Sequence, residues 1–215
     1  MFQNVVFSIG RLIDSIYYPA GTCTLINKSN LLVTAAHVVN GSNENLFIRL
    51  NTNYKSGYQD TTVQQSQLVP VKIEAIDPFR DICVLSLQGG QSVQSNLKLG
   101  TADIVNPGEE VVVVGFPHSN LGRIVLTQQT CEVGAKILLS SKNIKSKHLV
   151  LNIQARPGQS GGPVIRTLDG ALIGILIGPY VPTLKGGIRL GDIDPQTLHQ
   201  TTHAVSAGYI ERMIS

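Results

Sequence analysis

Residues 158–162 read GQSGG, one hydroxyl among glycines, with Pro163 behind it. No neighbouring side chain supports Ser160. A tight turn would account for the pattern, and so would a nucleophile that must stand exposed beside free backbone amides. A serine hydroxyl attacks poorly until a base takes its proton, and the base works only in the right tautomer and orientation. A serine in that role therefore requires a histidine and a carboxylate from elsewhere in the chain. The oxyanion formed in its attack needs two convergent N–H donors, which a segment bare of side chains can offer. Gly158 and Ser160 would supply those amides, and Gly161 and Gly162 would let a neighbouring strand approach closely.

Two other stretches hold the missing residue types. In LLVTAAHVV, residues 31–39, His37 ends an apolar run and follows two alanines, which leave an imidazole room to reach a partner. In IDPFRDICVLSL, residues 76–87, Asp81 leads directly into an apolar strand, so its carboxylate sits at the rim of a core and needs a partner there. Asp77 competes for that role, but it precedes Pro78 and suits a turn-forming aspartate better. Alone, each stretch is a weak signal. Together they place histidine, aspartate and serine at three strand edges.

The bulk composition agrees. The chain has 215 residues, 42% hydrophobic and only 14% charged, with 21 glycines and 10 prolines. Average domains carry about 25% charged residues. Short β-rich runs recur between turn signals, among them NVVFSIG, GTCTLI, LFIRL, LVPVKIEAI, EVVVVGF, GRIVLTQQT, HLVLNIQ, PVIRT and ALIGILIG. Such spacing predicts an antiparallel sandwich or barrel. Helical periodicity is convincing only in GYIERMI, residues 208–214. The polar, glycine-rich segment 89–110 divides the strand runs into two β-halves. The expected organisation is a first half over about 1–90, a connection over about 91–108, a second half over about 109–207 and a terminal helix over about 208–214.

The net charge of +3 is modest, and four lysines between Lys136 and Lys147 read as a solvated hairpin tip. No aromatic residue interleaves with them, so no base-stacking platform for nucleic acid is expected. The three cysteines, Cys23, Cys83 and Cys131, form no zinc or disulfide pattern, which favours a reducing, cytoplasmic setting. The start lacks signal-peptide features, and no apolar stretch is long enough to span a bilayer. Metal and nucleotide motifs such as H-E-x-x-H and G-x-x-x-x-G-K-[ST] are absent, so no cofactor or metal is expected.

TAAH at 34–37, DICVL at 81–85 and GQSGGP at 158–163 resemble the three signature stretches of chymotrypsin-fold serine peptidases. The HtrA/Deg branch is resembled most of all, through DPFRDICVL, VVVVGFPHSNLGRIVLTQQT, ALIGILIG and HAVSAGYIERMI, so that nearly the whole chain is covered. The resemblance implies an all-β fold of two six-stranded antiparallel barrels with a short C-terminal helix, and a polypeptide substrate bound between the barrels. It assigns Ser160 as nucleophile, His37 as general base and then acid, and Asp81 as orienting carboxylate. The Gly158 and Ser160 amides become the oxyanion hole. Gln154 falls at the floor of the P1 pocket, with Ile175, Leu176 and Ile177 along its wall and Pro179 narrowing it. A neutral floor disfavours Lys or Arg at P1, so a small or medium uncharged residue is expected. Arg156, beside the oxyanion loop, reads either as an attractor for an acidic group or as a solvated turn residue.

Two departures matter. Secreted trypsin-like enzymes carry an aspartate before the serine that pairs with a newly cut N-terminal amine; here Gln159 stands there and cannot form that ion pair. Val38 replaces a disulfide cysteine. Activity without N-terminal processing, controlled by loop order, is the expectation. The PDZ module usual in that branch does not follow, so the peptidase-like part is expected either to stand alone or to belong to a longer chain. Two other readings remain: a binding module that keeps the fold, whose mark would be a lost triad member, and an activator-dependent protease-fold domain of a larger signalling or defence protein. No triad member is lost.

Overall fold

The structure, a computed structural model, describes residues 2–27, 30–63, 67–89, 95–180 and 201–214. Two closed antiparallel barrels of six strands each dominate it. The first is built from β1 (Val6–Ile13), β2 (Ile16–Leu25), β3 (Leu31–Thr34), β4 (Leu46–Arg49), β7 (Leu68–Asp77) and β8 (Ile82–Leu87), in the order β1-β2-β3-β8-β7-β4. The second contains β9 (Glu110–Gly115), β10 (Thr127–Ser141), β11 (Ile144–Leu151), β12 (Pro163–Arg166), β13 (Leu172–Tyr180) and β14 (Thr201–Ser206), in the order β10-β11-β14-β13-β12-β9. A small hairpin, β5 (Tyr54–Lys55) and β6 (Tyr58–Gln59), stands apart. A one-turn helix, α1 (Ala36–Val39), follows β3.

Strand alternation explains why some runs are continuously apolar. Successive side chains point to opposite faces of a strand. In β9, Val111 and Val113 fill the second barrel, while Val112 and Val114 face the space between barrels. In β8, Cys83 and Leu85 point into the first barrel, while Ile82 and Val84 point toward the other. The inter-barrel layer gathers Val6, Ile26, Val33, Phe116, Leu172, Ile175 and Val205. Strands that bury both faces cannot show an alternating pattern, so runs such as VVVV mark the seam between the barrels.

The C-terminal helix takes the form of two successive 3₁₀ turns, Ala207–Tyr209 and Glu211–Met213, with Ile210 fully buried in the inter-barrel layer. The lysine-bearing segment is the far end of the β10–β11 hairpin, whose tip residues Lys142 and Asn143 both have positive φ. Such a turn matches strand twist, which lets the ladder run to Ser141↔Ile144. Two of its lysines reach back: Lys136 donates to the carbonyls of Asp103 and Val105, and Lys147 pairs with Asp103. Residues 91–94 of the expected connection lie outside the described residues.

All three thiols are free. Burial raises their pKa values, to about 12 at Cys83 and about 11 at Cys131, so none is poised to react at neutral pH.

Candidate active site

The turn between β7 and β8 presents Asp81. Asp77 shapes that turn by accepting from the backbone N–H groups of Phe79 and Arg80, both at 3.1 Å, and its other oxygen holds the Arg80 guanidinium at 2.6 Å. Asp77 is thus occupied within its own turn, and Asp81 is the aspartate that meets His37. Asp81 adopts φ 60°, a left-handed conformation that a short polar side chain tolerates. There its Oδ1 accepts the backbone N–H of His37 at 2.8 Å, and Oδ2 lies 2.6 Å from His37 Nδ1. Asp81 also accepts from the Ala36 amide through its own carbonyl, at 3.2 Å. Helix α1 ends at Asn40 in the left-handed region, so the one turn carrying His37 is fixed at both ends. The His37 side chain remains 49% exposed.

Ser160 comes from the other barrel, yet its turn is fastened to the first. The Thr22 amide donates to the Ser160 carbonyl at 2.8 Å, and the Thr22 hydroxyl donates to the Gly158 carbonyl at 2.8 Å. The same hydroxyl accepts from the Phe116 amide at 3.2 Å, and the Thr22 carbonyl accepts the Thr34 hydroxyl at 2.7 Å. Gly161, at φ 84°, lies so close to the Thr22 carbonyl, Thr34 Oγ1 and the Ala35 amide that a Cβ would collide with them. Gly162 is equally tight against the Val114 carbonyl. The Ser160 turn thus packs on Thr34 and Ala35, the residues that lead into His37. Its hydroxyl donates to the Ile177 carbonyl at 2.8 Å rather than to the imidazole.

The peptide planes around Ser160 are clamped through their carbonyls. Pro157 O accepts from the His118 amide at 2.7 Å, and Gln159 O accepts from the Gly162 amide at 2.9 Å. In a trans peptide the N–H points opposite the C=O. Fixing those two carbonyls therefore orients the Gly158 and Ser160 N–H groups away from them. Neither N–H donates to a described residue. Gly158, at φ 94°, sits against the Phe116 carbonyl and Ser119 Oγ, where no Cβ fits.

The expected pocket residues separate. Ile175 is fully buried in the inter-barrel layer and Leu176 in the second barrel's core; toward the turn they offer backbone, Leu176 accepting from the Gly161 amide at 2.7 Å. Ile177 keeps part of its side chain accessible and supplies the carbonyl facing Ser160. Gln154 is half-buried in the segment after β11, and Arg156 is exposed. The side chain of Pro179 lies outside the described residues. Sequence reading missed Thr22, Thr34 and Gln129, because polar residues inside strands give no signal until their distant partners are known.

His148 on β11 is 5% exposed, with Nε2 on Ser146 Oγ at 2.8 Å and Nδ1 without a partner among the described residues. Burial pulls its pKa down to about 4, helped by nearby His203, whose own pKa burial also lowers; the Asp81 charge opposes the shift. Because the folded value lies below the ordinary 6.5, the unfolded chain takes the proton first. His148 therefore contributes stability that is fully present above pH 6.5 and lost as pH falls toward 4, about 2 kcal/mol by pH 5. Urea midpoints at pH 7.5 and 5.0 should show that loss, and His148→Gln should remove this part of the slope.

A family model for the trypsin-like peptidase domain matches residues 21–175, and the chain belongs to that family. Serine protease HTRA1B of Danio rerio is 30% identical over 158 residues, covering 73% of this chain and 29% of that protein. Mitochondrial serine protease HTRA2 of Drosophila grimshawi is 28% identical over 156 residues, covering 72% and 33%. The chain thus spans about a third or less of the length of these relatives. The MamO protease domain from Magnetospirillum magneticum superposes with a TM-score of 0.71 at 17% identity, covering 98% of this chain and 96% of that one. The active form of the Rv3671c protease from M. tuberculosis gives 0.66 at 21% identity, covering 99% and 80%. Those structures share the double-barrel fold.

Proposed function

We propose that this domain is a serine endopeptidase in which Ser160, His37 and Asp81 act as a triad. The observation that carries the reading is the bonded His37–Asp81 pair beside a Ser160 turn locked onto the very residues that precede His37. Asp81 accepts from the Nδ1 side, which leaves the Nε2 lone pair free as a base. A rotation of the Ser160 hydroxyl off Ile177 O brings its proton to that nitrogen. Oγ then attacks the scissile carbonyl, and the resulting oxyanion is held by the Gly158 and Ser160 N–H groups. His37 returns the proton to the leaving amine as the C–N bond breaks, giving an acyl-enzyme. Water, deprotonated by His37, attacks the ester, and the second tetrahedral intermediate collapses to free acid and restored Ser160.

The substrate is read as an extended polypeptide. β12 pairs with β13 only as far as Ile175, so beyond it the cleft-side edge of β13 has no strand partner among the described residues. An extended chain can add there by backbone hydrogen bonds, and an N–H from it would take the Ile177 carbonyl, releasing the Ser160 hydroxyl. With Gln154 neutral and Ile177 apolar, P1 is a small or medium uncharged residue. Three unpaired thiols suit a reducing, cytoplasmic setting. A second reading, an activator-dependent domain, draws on the Ser160 hydroxyl resting on Ile177 O.

Digestion of unfolded casein with sequencing of the new termini tests the proposal. Cuts after small uncharged residues are expected. Cuts after Lys or Arg would overturn the specificity, and intact casein would favour the second reading.

A further inference from the structure

Gln159 is fully buried, and both ends of its side chain are bonded. Its Oε1 accepts the Arg156 amide at 2.7 Å, and its Nε2 donates to Gln129 Oε1 on β10 at 2.9 Å. Its backbone N–H meanwhile donates to the Arg156 carbonyl at 3.1 Å. Gln159 therefore grips Arg156 twice, through main chain and side chain, in the reciprocal manner of a capping box. The orientation of the amide is forced: a backbone N–H can only donate, so Oε1 must face Arg156 and Nε2 must face Gln129. Between the two gripped residues lie Pro157 and Gly158, the pair whose peptide plane sets the direction of the Gly158 N–H.

We infer that the Gln159–Gln129 amide pair is the latch that holds residues 156–160 in the shape that aims the Gly158 and Ser160 amides together, making Gln159 a positioning residue. The inference rests on the peptidase reading. A buried glutamine with satisfied ends is ordinarily only a well-packed residue. Here, however, one bond closes the oxyanion loop on itself, and the other ties that loop to a strand 30 residues away. No charge takes part, so the latch needs no newly cut N-terminus and no ionisation. Loss of it frees the Arg156 N–H and lets the Pro157–Gly158 peptide turn, with the nucleophile itself untouched. Such a change weakens transition-state binding more than substrate binding, so it falls on kcat.

The test compares the parent with Gln159→Leu, Gln129→Leu and the double variant. Gln159→Leu fills the same volume without hydrogen bonds; Gln129→Leu breaks only the outer end of the latch at a half-buried site and guards against a folding failure. Peptide hydrolysis, urea midpoints and amide exchange at residues 156–160 are measured on each. Gln159→Leu is expected to lower kcat about 10- to 100-fold with KM within about 3-fold, and Gln129→Leu to lower kcat less. The double variant should be no worse than Gln159→Leu alone, because both act on one device. Amide exchange at Arg156 should accelerate in Gln159→Leu even if the parent hydrolyses nothing. An inert parent would count against the peptidase reading. An active parent whose folded Gln159→Leu variant keeps its kcat, additive losses in the double variant, or unchanged exchange at Arg156 would each overturn the latch.

Discussion

Ser160→Ala is expected to lower kcat/KM for peptide hydrolysis by about a million-fold, the scale seen when the nucleophile of a concerted triad is removed. Stability should scarcely move. The hydroxyl makes a single hydrogen bond, to the Ile177 carbonyl, whose loss costs about 1 kcal/mol. The fold around it is held by other atoms: the Ser160 carbonyl on Thr22, and Gly161 and Gly162 against Thr22, Thr34 and Val114. Kinetics and urea melts on the same preparation therefore separate chemistry from folding. A large loss of stability alongside the loss of rate would contradict this division.

Asp81→Asn carries the second-largest expected effect, about 10,000-fold in kcat at neutral pH. The reason lies in two hydrogen bonds made by one carboxylate. Oδ1 is held by the His37 backbone N–H at 2.8 Å, so an asparagine there must place its carbonyl oxygen on that donor. Its NH₂ then faces His37 Nδ1, which can only accept. The ring proton moves to Nε2, and the lone pair needed as a base turns away from the cleft. KM should stay near the parent value, because no atom that contacts substrate has changed. Nitrogen NMR of the imidazole should report the inverted tautomer; an unchanged tautomer with unchanged rate would remove Asp81 from the triad.

Much of this was legible before any coordinates. Many short strands and a dividing glycine-rich segment spoke for a sandwich or barrel in two halves, and the resemblance carried by the three motifs added the double barrel. The four-valine run in β9 read only as one β-rich run among many, because periodicity alone does not show that Val111 and Val113 fill the barrel while Val112 and Val114 face the seam. What sequence could not show was pairwise and distant. The lysines between 136 and 147 did read as a hairpin tip, but Lys142–Asn143 lacks the Asn-Gly or Asp-Gly signature of a two-residue turn, so how far β10 and β11 extend toward it stayed hidden. Thr22 looks like any strand threonine, yet it bonds Gly158, Phe116 and Ser160 across the seam. Gln159 was recognised for the ion pair it cannot make; its bond to Gln129 required the two barrel walls to be in place. The wall read at Ile175–Ile177 was divided by alternation and burial, leaving Ile177 as its accessible side chain.

Labelling by a fluorophosphonate reagent, followed by peptide mapping, tests the central claim most directly. The reagent phosphonylates a serine, Oγ displacing fluoride from phosphorus, only where a base removes the hydroxyl proton and amides receive the phosphonyl oxygen. The account predicts a single adduct on Ser160, absent from the folded His37→Ala variant. An adduct that forms equally well without His37, or one on a different serine, would contradict it.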